Sequence, residues 1–355
     1  MKKINLSIII PTCNAKKYLI PTIKSILNSH TKNYEIIVVD NGSTDTSIKA
    51  VKNLKPTRSH LVGKIKIVAL DKNFGPAKAR NEGVKIAKGR YLAFLDSDTK
   101  VHPDWANQAL KCFDNKKIAA IQCKLLFLKD KKRIDYVGEY LTPTGFLLPV
   151  APHGTIDKGQ FDDTDKILAA KSAGMFIRRD VFRKIDGFDE DYFIFVEETD
   201  LGWRTWLAGY QIVLCPNSIV YHHFSATKDI FNPRFNNHLV RFHGTKNYIL
   251  TLYKNLSLPN LIRILPLHIF LWTGLSLYLL LTGKFDSGIN IFKAILWHLP
   301  NLPKNTLKRI NVQKQRKTTD QVLFHKYQLL KEKSVFSYIT KFLSSQKTSI
   351  TPENQ

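Results

Sequence analysis

The sequence predicts an α/β protein, a mainly parallel sheet flanked by helices and followed by a hydrophobic helical region. Three observations carry that expectation. Apolar runs recur over the first 100 residues, at Leu6–Ile10, Glu35–Val39, Ile65–Leu70 and Tyr91–Leu95, and each ends in a polar turn. Helical periodicity fills the gaps between them, and strands alternating with helices mean βαβ units. The run Tyr91–Leu95 is apolar without alternation, the pattern of a strand covered on both faces. Further on, Ile264 to Thr282 is 19 residues without a formal charge.

Each element follows from local chemistry. Leu6–Ile10 is the first strand, stopped by Pro11 and the turn-prone Thr12, Cys13 and Asn14. A helix from about Tyr18 to Leu27 places Leu19, Ile23, Ile26 and Leu27 on one face. Glu35–Val39 is the second strand, ending in Asp40, Asn41, Gly42 and Ser43, with Thr44 or Asp45 as a cap for the next helix. Ile65–Leu70 is the third, ending in Asp71–Gly75. The helix from about Pro76 to Ala87 has its proline in the first turn, where no hydrogen-bond donor is lost. The fourth strand stops at Asp96, Ser97 and Asp98. A helix around Asp104–Phe113 and a strand at Ile118–Cys123 follow. Pro149–Lys166, rich in glycine, aspartate and proline, reads as a mobile loop or lid. A strand at Ser172–Ile177, a short helix and an acidic turn lead to a helix at Glu197–Ala208 and a strand at Ile212–Leu214.

Right-handed crossovers put the strand-end loops on one edge of the sheet. The loops PTCN, DNGS, DKNFG and DSD therefore converge on a rim, where open α/β sheets bind ligands. That rim carries Pro11, Thr12, Asn14, Asp40, Asn73 and Gly75. Asp96 and Asp98 suit a hard divalent cation, which would in turn hold phosphates. Asp40 is placed to accept hydrogen bonds from a base or ribose, and Arg80, beside Asn81 in the helix after DKNFG, to meet a phosphate. Glu197, Asp200 and Arg204 share a helix face, with Asp200 and Arg204 an i,i+4 pair and Asp200 a candidate donor-binding residue beside Asp96. His222, next to His223 after a strand, is a candidate metal ligand. Each has a plain structural alternative: an Asx turn at Asp40, a capped polar turn at Asp96–Asp98, a solvated face at Arg80, and acids complementing the helix dipole at Glu197, Glu198 and Asp200.

A net charge of +25 calls for an anionic partner. The basic residues favour the region after the apolar stretches (Lys304, Lys308, Arg309, Lys314, Arg316, Lys317 and onward), and no nucleic-acid motif occurs, so nucleic acid is not expected. Four cysteines without CxxC or zinc spacing fit reduced thiols of a cytosolic domain. The apolar run at the N-terminus is too short for a signal-peptide core.

Five segments in order, IIIPTCN, VVDNGSTD, NFGPAKARNEG, FLDSD and GFDEDYFIFVEETDLGWR, resemble glycosyltransferase family 2, the inverting nucleotide-sugar transferases of GT-A fold. EETDLGWR is most similar to rhamnosyltransferase-type members, and the resemblance covers about Lys3 to Thr227. It implies that Asp40 contacts the nucleotide base and that Pro11 and its neighbours line the nucleotide pocket. It gives Asp96 and Asp98 to ribose and metal (Mg2+ or Mn2+), with Asp98 the direct ligand, and makes Glu198 the catalytic base. Many members carry aspartate at that last position. His222 matches a frequently functional position, and the absent QxxRW motif argues against processive polymerisation. The implied partners are a dTDP- or UDP-linked sugar donor and a glycan or lipid-linked acceptor. The competing class is a non-catalytic module binding a nucleotide or anionic polymer; the intact set Asp96, Asp98 and Glu198 argues against it.

The expected organisation is a catalytic domain at 1–228, a helical membrane-associated region at 229–303 and a basic tail at 304–355. As a helix, Ile264–Thr282 measures about 28 Å, just enough to cross a bilayer core. Nucleotide sugars and the basic tail both belong on the cytoplasmic side, and a single crossing would separate them. The expectation is therefore an in-plane or re-entrant hairpin at the cytoplasmic face of the membrane, ahead of one transmembrane helix, with the tail on anionic headgroups; the plain alternative is a buried helical hairpin of a soluble protein.

Overall fold

The computed structural model describes residues 4–54, 65–223 and 238–331. Its centre is a nine-stranded sheet. The first half is βαβ winding: β1 (Leu6–Thr12), α1 (Lys16–Leu27), β2 (Tyr34–Asn41), α2 (Ser47–Lys52), β3 (Ile65–Leu70), α3 (Gly75–Ile86) and β4 (Tyr91–Phe94). After it come β5 (Thr99–Val101), α4 (Trp105–Lys111), β6 (Ile118–Phe127), β7 (Ile134–Tyr136) and a hairpin of β8 (Glu139–Leu141) with β9 (Leu147–Pro149). The catalytic-side elements end with β10 (Met175–Arg178), α5 (Arg179–Lys184), α6 (Glu197–Leu207) and β11 (Gln211–His222).

The strand order is β3-β2-β1-β4-β10-β6-β11-β5, with β7 beside β6. β3, β2, β1 and β4 pair in parallel, as the sequence predicts. Beyond β4 the sheet is mixed, because β10 inserts antiparallel between β4 and β6. Ser172–Gly174 is a tight 3-10 turn, so the strand expected from Ser172 starts only at Met175. Pro11 does not stop β1, which pairs with β2 as far as Thr12. The reason is geometric. The Ile9 carbonyl accepts from the Leu95 N–H on the β4 flank. Pro11, two residues on, faces that same flank after β4 has ended, so its missing N–H costs no ladder bond.

Neighbouring residues of the central strands enter opposite cores. Ile9, Ile37, Val39, Leu92 and Phe94 pack on one side with α3 and α6. Leu6, Ile8, Ile10, Ile36, Val38 and Ala93 pack on the other with α1 and α4. Continuous apolar runs are what such a doubly covered sheet requires. The Pro149–Lys166 segment is a loop, but it is pinned rather than loose. Ile156 bridges to Arg133, and Lys124 Nζ lies 2.9 Å from Asp157 and 2.5 Å from Asp162.

The C-terminal helices are α7 (Gly244–Asn255), α8 (Leu258–Leu281), α9 (Phe285–Leu296) and α10 (Leu302–Lys314). Leu252, Leu256, Leu261, Ile264, Val312, Leu323 and Phe324 join the same core as Trp203 and Trp206 of α6. The helical region is thus built onto the sheet rather than tethered to it. Lys304 and Lys308, expected in a basic tail, pair with Asp191 at 2.6 Å each, and Lys308 also pairs with Asp189. The predicted boundary at 228/229, and the lysines at 333, 341 and 347, lie outside the described residues.

Candidate active site

The strand-end loops interlock. Asn14 Oδ1 accepts from the backbone N–H of Thr44 (2.8 Å) and Asp45 (3.1 Å), tying the PTCN loop to the one after β2. Asn41 Nδ2 donates to Asn73 Oδ1 at 2.9 Å, and the Phe74 N–H donates to Asn41 Oδ1 at 3.0 Å, tying in the loop after β3. Gly42, at φ +74°, is obligatory here: a Cβ would stand 2.5 Å from the Lys72 carbonyl carbon. Asp40 accepts from the Ser43 N–H at 3.0 Å, which is the Asx turn, and sits opposite Thr12 in the β1–β2 register. The Thr12 hydroxyl is buried with no partner among the described residues. Pro11, Thr12, Asn14, Asp40, Asn73 and Gly75 thus share one rim.

Asp96, Asp98 and His222 each offer a ligand atom within 4.8 Å of the others. His222 lies at the end of β11, which pairs with β5 just after the DSD turn (His222 opposite Thr99). Its Nε2 is 3.4 Å from Asp98 Oδ1, while Nδ1 is 2.7 Å from Asp135 Oδ2. Burial favours the neutral ring, but Asp135 and Asp98 outweigh it and push its pKa up to about 10. A carboxylate on Nδ1 orients the ring so that Nε2 can ligate once a cation displaces its proton, the usual support of a metal-bound imidazole. Two carboxylates and one oriented imidazole fit Mn2+, whereas Mg2+, which takes oxygen ligands, would use the two carboxylates alone.

Arg80 departs from expectation. Rather than facing a phosphate it is 3% exposed. Its Nη1 is 2.9 Å from Glu197, and its Nη2 is 3.1 Å from Asp96 and 3.9 Å from Glu198. Three carboxylates from two segments enclose it, so the guanidinium is neutralised inside the protein. Arg80 couples the DSD turn to α6. Burial and the neighbouring Glu198 push the Glu197 carboxyl up to about 8, which Arg80 offsets only in part. Glu198 Oε1 accepts from Ser172, at 2.5 Å from Oγ and 3.2 Å from the backbone nitrogen.

Asp200 also departs from expectation. It is fully buried away from the rim, between Arg204 (2.8 Å), Lys254 (2.9 Å) and Asn255 (2.9 Å). Its i,i+4 partner is as expected; a ligand role is not. Asp135 and Ser172 were invisible to sequence reasoning. Asp135 lies on a three-residue strand, and Ser172 in a 3-10 turn, neither inside a motif.

The model of the family described as Glycosyl transferase family 2 matches residues 7–186, half of the chain. The chain belongs to glycosyltransferase family 2. Among curated relatives, the O-antigen biosynthesis protein RfbC of Myxococcus xanthus is 27% identical over 230 residues, 62% of this chain but 17% of that protein. The amylovoran biosynthesis glycosyltransferase AmsB of Erwinia amylovora is 28% identical over 223 residues, 63% of this chain and 71% of that one. The chain spans between 17% and 40% of the first five relatives. Among solved structures, S. aureus TarS 1–349 in complex with UDP aligns with a TM-score of 0.53 and 17% identity, over 87% of this chain and 89% of that one. The mannosyltransferase PcManGT of Pyrobaculum calidifontis, in complex with GDP-Man and Mn2+, aligns at 0.51 and 15%, over 87% and 86%. These likenesses show the fold, the GT-A arrangement.

Proposed function

We propose that this family 2 member is an inverting glycosyltransferase. It moves a sugar from a nucleoside-diphosphate donor to a hydroxyl of a glycan or lipid-linked acceptor in cell-surface polysaccharide synthesis. One observation carries the reading: the ligand-bearing group Asp96, Asp98 and His222 is joined through Arg80 to a half-buried carboxylate, Glu198, whose Oε1 faces Arg80 at 3.9 Å and is held by Ser172. Asp40 and the buried Thr12 hydroxyl offer acceptor and donor atoms to a base and ribose. Asp96, Asp98 and His222 would hold a divalent cation, which would neutralise charge on the departing nucleoside diphosphate. Glu198 takes the proton of the acceptor hydroxyl as that oxygen attacks the anomeric carbon. Ser172 holds one Glu198 oxygen, leaving the other for that proton. UDP and dTDP are the donors to test first, with rhamnose among the sugars.

The same reading places the protein flat on a membrane. Leu261, Ile264, His268, Trp272, Ser276 and Leu279 of α8 are buried against the body of the protein. The opposite flank presents Ile262, Phe270, Leu277 and Leu281, with Phe285 and Phe292 of α9. Such a two-sided helix suits the plane of the interface better than a crossing. Exposed Arg263 and Lys293 suit anionic headgroups, on the cytoplasmic face where nucleotide sugars are made.

Glu198→Gln is the test of the chemistry. UDP with Mn2+ should bind as in wild type by calorimetry, while turnover of a UDP- or dTDP-sugar falls by about 10²- to 10⁴-fold. Equal loss of binding and turnover would show Glu198 to be structural.

A further inference from the structure

Between the acidic turn and α6 the chain follows an unusual path. Phe193, Phe195 and Val196 have φ values of +62°, +69° and +66°. Left-handed backbone is disfavoured for any side chain and most of all for a β-branched one such as Val196. Val196 is the residue from which α6 departs, so this path sets where Glu197 and Glu198 point.

The path is held from two sides. On the donor side it abuts Gly75 so closely that a Cβ there would stand 2.4 Å from the Phe193 carbonyl oxygen. On the other side is Asn247 of α7, which is fully buried. Its Nδ2 meets the carbonyl oxygens of Tyr192 (2.9 Å), Ile194 (2.8 Å) and Phe195 (2.7 Å). Its Oδ1 is buried with no partner among the described residues. An amide that leaves its acceptor orphaned in order to gather three carbonyls is built around its donor. The His243 ring at the N-cap of α7, stacked on Phe193 at 5.0 Å, and Tyr192 Oη, 2.7 Å from Thr251 Oγ1 of α7, fasten the same segment.

We infer that Asn247 is a positioning residue for the base: it holds Phe193–Val196 in its left-handed path and so aims the first turn of α6 at the donor rim. The C-terminal helices, which lie beyond the matched family segment, then belong to the catalytic apparatus as well as to the proposed membrane surface. The inference rests on the reading of Glu198 as base.

Asn247→Ala should lower kcat for UDP-sugar turnover about 10- to 100-fold, as misplacement of a catalytic group by an ångström does. Affinity for UDP with Mn2+ should stay unchanged. Hydrogen exchange of the peptide over 190–200 should accelerate while the central strands keep wild-type protection. Adding Val196→Gly to Asn247→Ala should recover part of kcat, since glycine adopts this backbone unaided. Should the alanine variant fail to fold, Asn247→Leu removes the donor at similar volume, without the alanine cavity, and carries the same expectations. Wild-type kcat with unchanged exchange, loss of UDP binding in step with kcat, or no recovery from Val196→Gly would each overturn the inference. Glu198→Gln is run alongside. If it keeps full turnover, the base assignment fails, while exchange over 190–200 still judges the clamp.

Discussion

Replacing Arg80 by methionine removes a cation shared by Asp96, Glu197 and Glu198 and keeps most of the side-chain volume. The Asp96 contact is about one-third exposed on its acid side and therefore screened, so the cost lies mainly with Glu197, which is 2% exposed. The sign follows from its raised pKa of about 8 against about 4.3 in the unfolded chain. Folded protein binds that proton more tightly, so this group's contribution to stability falls as pH rises between those values. At pH 6 Glu197 holds a proton in wild type and variant alike, and the loss is confined to hydrogen bonds and packing, about 1–3 kcal/mol. Above pH 8 wild-type Glu197 ionises against Arg80 while the variant must still keep its proton. The gap then widens by about 1.4 kcal/mol per pH unit, toward the 3–5 kcal/mol of a broken buried pair. Urea unfolding at pH 6 and pH 9 reads this directly. A deficit that is equal at both pH values, or larger at pH 6, refutes the assignment of Arg80 as the neutralising bridge. Turnover is expected to drop at both.

The other outcomes concern separate parts of the molecule. Asp135→Asn removes the charge behind His222 and should weaken Mn2+ binding about 10- to 100-fold by titration calorimetry; undiminished affinity would exclude Asp135 from the site. Lys254→Met takes from Asp189 and Asp200 their shared cation, leaving Lys308 to the first and Arg204 to the second, and should cost about 1–3 kcal/mol in denaturant unfolding. Asp189 is held well below the usual carboxylate range because Lys254 and Lys308 outweigh its burial. Its contribution to stability is therefore present above about pH 4 and is lost on acidification below that value, a slope that Lys308→Ala should flatten. Aspartates at Phe270 and Leu281, both exposed, should abolish co-flotation with vesicles containing phosphatidylglycerol and leave the melting temperature within a few degrees. Unchanged flotation would remove α8 from the membrane surface.

Much of the fold is written locally. The runs at Leu6–Ile10, Glu35–Val39 and Tyr91–Leu95 are apolar on both alternations because both faces of these strands are covered, and that pattern is readable without neighbours. The mixed half was less legible. β5 and β7 are three residues each and carry no periodicity, and the antiparallel seat of β10 depends on which strand edges remain open beside β4 and β6. That Asp96 and Asp98 lie on a rim with Asp40 was legible because strand ends converge by topology, whereas His222 joins Asp96 and Asp98 only through the pairing of β11 with β5. Asp135, Ser172 and Asn247 act through contacts with residues 87, 26 and at most 55 positions away, which no spacing encodes.

Arg80 and Asp200 show where reading by position stops. Local periodicity determined that each lies on a helix at the rim end of the sheet, and that Asp200 pairs with Arg204. It could not determine what stands opposite. Only the tertiary structure put three carboxylates around Arg80 and two cations around Asp200, taking both out of reach of a ligand. Likewise the composition of α8 fixed that it is apolar, and packing alone decided that one flank belongs to the core and the other to its surroundings. Hydrophobic pattern acts over a few residues of chain, whereas the worth of a charge is set by its neighbours in space and by the water they exclude.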